Sequence, residues 1–122
     1  MENKIKKEFE MFCKISGGQY REGTYIECVK DKYYIRLSEE NGLTFIAGST
    51  MTSDFEILNI KNCKIIDCER LTKSNEMNEL EYYVFNIYLD KGLLSIRRKI
   101  KEDKIIVYLK TPEIEYESSI VF

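Results

Sequence analysis

The sequence predicts a mainly β protein: a small antiparallel barrel or sandwich of about eight strands with one short N-terminal amphipathic helix. Three observations carry that reading. Apolar and polar residues alternate almost continuously from Gly18 to the last residue, which is the two-residue period of half-buried strands. Turn residues recur between the alternating runs at hairpin spacing, too close together for βαβ units. Only the first segment has a helical period, and Ser16-Gly17-Gly18 stops it.

The expected organisation is one domain over 1–122, with a helix over 1–16 and antiparallel sheet over 19–122. In the helix, Ile5, Phe9 and Phe12 fall at i, i+4 and i+7, while Lys4, Lys6, Lys7, Glu8 and Glu10 take the other face. A helix this short persists only when packed, so its expected role is a plug over one end of the sheet. Strands at 24–29 and 32–37 flank a tight turn at Lys30-Asp31, and Asn41-Gly42 leads into 43–47. Segments 55–60 and 63–70 follow around Asn62. A bulge at Ile65-Ile66 would turn Cys63, Ile65, Ile66 and Cys68 all inward. The polar stretch 71–79 reads as a mobile connection. Segment 81–90 is apolar on both faces, as in a covered strand. Turns at Asp90-Lys91-Gly92, Glu102-Asp103 and Thr111-Pro112 then separate 93–100, 104–109 and 114–122. The last segment would be hazardous as a bare edge, so it is expected to close the sheet or to pair across a homodimer.

Composition narrows the chemistry. A chain of 14.5 kDa exposes about 6,900 Å² when folded against about 21,000 Å² unfolded, enough burial for a real core. Net charge is −2, so no global field draws in nucleic acid or an anionic membrane. The first residues lack the roughly 7–15-residue apolar run of a secretion signal, and no stretch approaches the ~20 apolar residues of a membrane span. Cys13, Cys28, Cys63 and Cys68 are scattered through apolar segments and read as buried thiols in a reducing compartment. The expected location is cytoplasmic. Abundant Lys, Ile and Asn with a single alanine, Ala47, point to an AT-rich genome, bacterial or phage.

There is no histidine, the commonest general base and metal ligand near neutral pH. No nucleophile elbow, phosphate-binding glycine loop or dinucleotide fingerprint is present. Cys28 near Lys30 and Cys63 near Lys64 could form activated thiolates, but thiols inside apolar strands are inert. Cys63 and Cys68 face opposite ways on a regular strand, which argues against a zinc knuckle. Asp54/Glu56 and Asp67/Glu69 share strand faces at i,i+2 and could hold a cation, yet solvated strand faces give the same pattern. No catalytic residue, metal or cofactor is expected.

Three features remain as binding candidates. The loop 48–54 is dense in hydroxyls, and Ser49, Thr50 and Thr52 could cradle an anion or a ribose. Arg97, Lys99 and Lys101 would share one face of a strand, forming a basic stripe for a phosphate or an acidic partner, or a charged edge that blocks aggregation. Tyr34 beside Arg36 offers a large contact with a polar tip, facing away from Tyr33, Ile35 and Leu37. The function expected from these features is a small non-catalytic binding module that engages a protein partner stoichiometrically, as inhibitor, immunity or adaptor proteins do. The alternative is a β-barrel holding a nucleotide or another small phosphorylated ligand. Membrane and nucleic-acid partners are not expected.

Overall fold

Two successive meanders follow one helix in the computed structural model of the protein, which describes residues 1–53 and 55–122. Helix α1 (Asn3–Ile15) buries Ile5, Phe9, Phe12 and Cys13, the face its 3.6-residue period selects. Strands β1 (Gln19–Glu22), β2 (Ile26–Lys30), β3 (Tyr33–Glu39), β4 (Gly42–Ser49) and β5 (Phe55–Lys61) make one antiparallel sheet in chain order. Strands β6 (Ile65–Ser74), β7 (Leu80–Leu89), β8 (Gly92–Lys99), β9 (Lys104–Lys110) and β10 (Glu115–Val121) make the other. The fold is therefore mainly β with an N-terminal helix. Neither sheet closes into a barrel, one of the two architectures expected, and among the described residues ten strands form where about eight were read. The accessible surface, 7359 Å², slightly exceeds the value that size alone predicts.

Side chains from both sheets and the helix meet in one core. Ile35, Leu37, Leu43 and Phe45 from the first sheet join Phe85, Ile87, Leu94 and Ile96 from the second. Phe9 and Phe12 both reach Phe85, with ring centroids 5.8 and 5.9 Å apart. α1 packs against β1 and β2 on one side and β6 and β7 on the other, so it fills the seam between the sheets. The opposite seam, between β5 and β10, has no helix; Tyr116 donates a hydrogen bond across it to Glu56. At one end Lys30 donates to Asp103 at 2.8 Å and to the Phe122 carbonyl at 3.1 Å, tying β2 to the far turn and the last residue.

Several local expectations change. Residues 71–79 are not a mobile connection: β6 runs to Ser74, and Asn75 closes a turn by accepting the amides of Met77 and Glu79. The β6 bulge is present between Ile65 and Asp67, but it leaves Ile66 65% exposed instead of turning it inward. The β2–β3 turn sits one residue later than Lys30-Asp31, with Asp31 at φ 54°. A short polar side chain tolerates that left-handed region. Strand β10 does not close a sheet; it remains an edge paired only with β9.

The cysteine reading needs the largest correction. Cys13 at the end of α1 and Cys28 in β2 form a disulfide, while Cys63 and Cys68 are free and buried. Gly18 makes room for the bridge. A Cβ there would overlap the Cys28 sulfur and lie 3.0 Å from that of Cys13. Among the described residues, no helix is long and apolar enough to cross a membrane.

Candidate functional site

Strand alternation sends Ile35 and Leu37 of β3 into the core and leaves Tyr34 and Arg36 on the outer face of the first sheet. The β2–β3 register sets Glu27 directly across from Arg36 and Val29 across from Tyr34. Glu27 has only 8% of its side chain exposed, so its charge requires a partner. Arg36 supplies one, donating from Nε to Oε2, and Arg21 approaches the other oxygen at 4.0 Å.

The Arg36 guanidinium also lies over two rings. Its carbon is 4.2 Å from the Tyr34 centroid and 4.9 Å from that of Tyr25, the residue just before β2. Both distances fall well inside the cation–π range. Burial, the largest influence on its proton affinity, acts to lower the pKa. The hydrogen bond and charge of Glu27 outweigh it, with help from Tyr25 and Tyr34, so the pKa rises. Among the described residues the two Nη groups of Arg36 donate no hydrogen bond. A rigid guanidinium therefore presents unused donors at the surface. Arg21, Arg36 and Glu27 together leave one net positive charge.

An apolar strip runs beside this cluster. Arg36 pairs with Ile46 on β4, which pairs with Ile57 on β5, 49% exposed. Tyr34 pairs with Gly48, which pairs with Phe55, 60% exposed. Gly48 has no side chain, leaving a gap between Tyr34 and Phe55. The outer face thus combines a stacked Tyr–Arg–Tyr group with exposed aliphatic and aromatic side chains.

The other predicted site residues fall elsewhere. Ser49 and Thr52 line a cleft of about 340 Å³ with Tyr33, Phe55, Glu56, Ile120 and Val121. Local backbone occupies part of the hydroxyl set: Ser49 Oγ accepts the Met51 amide at 3.1 Å, and Thr50 Oγ1 donates to the Lys32 carbonyl at 3.2 Å. Arg97 and Lys99 share the outer face of β8, but Lys101 lies in the following turn, so the three do not form one strand stripe. Lys99 pairs with Glu102 and Lys101 with Glu79, each at 3.2 Å. Arg97 donates from Nε to Ser95 at 3.4 Å. The cleft holding Ser49 and Thr52 shares no lining residue with the one holding Lys99 and Lys101.

Of the carboxylate pairs, Asp54 lies outside the described residues. Asp67 is paired with Lys4, and Glu69 accepts from Tyr88. No group of three or more metal-ligating side chains assembles among the described residues. Sequence reasoning missed Tyr25 and Glu27. A turn centred one residue later would have found Glu27, because it places that residue opposite Arg36.

Comparison of the chain with protein families, curated proteins and solved structures returns no match.

Proposed function

We propose that the protein is a non-catalytic binding module that engages a protein partner stoichiometrically through the outer face of its first sheet. The observation that carries this reading is Arg36, held between Tyr25 and Tyr34 and pinned by buried Glu27. Tyrosine and arginine dominate the energetics of protein interfaces, and side chains already fixed in place lose little entropy on binding. The adjacent Ile46, Ile57 and Phe55 supply apolar contact area. An inhibitor, immunity or adaptor role of bacterial or phage origin fits a surface that acts by occupancy alone.

The alternative, a nucleotide or other phosphorylated ligand, draws less support. The hydroxyl-lined cleft contains the Glu56 carboxylate and no lysine or arginine in its lining. Lys99 and Lys101 are already matched by acids. The disulfide between Cys13 and Cys28 favours an oxidising compartment over the cytoplasm expected from sequence, since such bridges persist where thiols are not kept reduced.

Affinity capture under gentle conditions tests the proposal. Wild-type protein should retain a defined partner at fixed stoichiometry, and Tyr34→Ala should lose it while keeping the fold. Capture of nothing by wild type, or equal capture by Tyr34→Ala, contradicts the reading.

A further inference from the structure

Arg36 is fixed by contacts that leave its most selective part unused. Its Nε is engaged by Glu27, and its plane lies over Tyr34 and Tyr25. Among the described residues neither Nη group has an acceptor, although 32% of the side chain is exposed. The end of a guanidinium is a fork of two donors that fits the two oxygens of one carboxylate. A fork already held in place loses little freedom when it makes that contact.

The surrounding charge favours an acid. Strand alternation puts Arg21, Glu27 and Arg36 on one outward row across β1, β2 and β3, and Glu27 is already engaged there. The outward neighbours Tyr34, Ser38, Thr44, Ile46, Phe55 and Ile57 are uncharged. The other acids of these strands, Glu22, Glu39 and Glu56, take inward positions. Glu22 meets Lys6 of α1, and Glu56 accepts from Tyr116 of β10. The patch therefore carries one net positive charge and no accessible strand acid, on a chain whose net charge is −2.

A slot lies beside the guanidinium. Gly48 sits between Tyr34 and Phe55, with Ile46 bordering it along β4. Tyr34 and Phe55 are two strand spacings, about 10 Å, apart at the backbone, which leaves room for one apolar side chain over Gly48. Gly48 is the diagonal neighbour of Arg36 on β4, and such positions lie about 7–8 Å apart. An extended chain sets side chains i and i+2 on one side at about 7 Å.

We infer that the partner presents an extended acidic segment, with an aspartate or glutamate on the Arg36 fork and an apolar side chain two residues away in the Gly48 slot. The inference rests on the binding role proposed for this face and names the chemistry that the face selects. A nucleic acid strand fits less well, because its phosphates follow a track of free cations and the outward neighbours of Arg36 are uncharged.

Selection of a displayed library of random peptides, each of about 12 residues, on the full chain tests this. Enriched sequences should carry Asp or Glu two positions from an aliphatic or aromatic residue. Replacing that acid by its amide, or the apolar residue by alanine, should weaken binding about tenfold or more, and neither change requires the protein to be altered. The Glu27→Gln/Arg36→Gln variant should lose the preference for the acid. Enriched peptides that carry no acid but fail to bind Tyr34→Ala would overturn the inference and leave the binding role of the face standing. Peptides that bind Tyr34→Ala as well as wild type would overturn both. A library that yields no enriched sequence overturns the acidic segment, as does single-stranded oligothymidylate that binds more tightly than any peptide and is released by Tyr34→Ala.

Discussion

Glu27 is the residue on which the outer face is built, because a carboxylate with 8% exposure must be compensated where it sits. Removing Arg36 alone strands it. Arg36→Ala should destabilise the protein by about 2–3 kcal/mol. That is less than for a fully buried pair, because Arg36 is 32% exposed and Arg21 stays 4.0 Å from the acid. The double change Glu27→Gln with Arg36→Gln should recover most of the loss, since no buried charge is then left unpaired. Urea midpoints of the single and double variants measure this, and equal destabilisation in both would refute it. Tyr34 and Arg36 were legible in the sequence because alternation alone places them opposite Ile35 and Leu37. Glu27 was not, because hairpin register depends on which residue adopts the left-handed turn conformation, and Asp31 can do so at either position of a two-residue turn.

The helix and the bridge act together as one element. Phe9 is fully buried between Tyr20 and Phe85, and Phe9→Ala should cost about 3–5 kcal/mol by thermal or chemical unfolding. A loss below about 1 kcal/mol would mean that α1 is not docked. The disulfide closes a separation of 15 residues, so reduction should cost about 3 kcal/mol and lower Tm by roughly 10 °C. An unchanged Tm in reductant would contradict a bridge between Cys13 and Cys28. Periodicity made the helix readable, with apolar residues at i, i+4 and i+7. The bridge was hidden because cysteine spacing does not reveal which pairs converge, and Gly18 read only as a helix stop. Segment 71–79 was misjudged for a related reason: an edge strand whose outer face meets water has the polar composition of a loop.

The whole molecule lacks histidine, and its perturbed groups lie at the two ends of the pH scale. Hydrogen bonds from Lys30, Lys4, Lys6 and Lys99 hold Asp103, Asp67, Glu22 and Glu102 below their ordinary values. Their contributions are present above pH 4.5 and fade as pH falls through the lowered values. Burial raises the Cys63 and Cys68 thiols above 9.0, and burial followed by Glu22 and Glu10 pushes Tyr20 up to about 12. Those contributions are complete below pH 9.0 and are lost as pH rises through the raised values. Stability measured by urea midpoint should therefore be flat between these limits, and a step near pH 6.5 would contradict the account. Alternation made the mainly β class legible at this scale. Closure was not, because a two-residue period says which face is buried and nothing about which strands meet at the edges.

The central claim is that the Tyr25–Arg36–Tyr34 face carries binding, and titration of the captured partner against the Glu27→Gln/Arg36→Gln variant tests it most directly. The account predicts affinity weaker by about 30-fold or more, the loss of one interface hot spot of roughly 2 kcal/mol, with the fold intact. Affinity within about twofold of wild type, less than 0.5 kcal/mol, would contradict it.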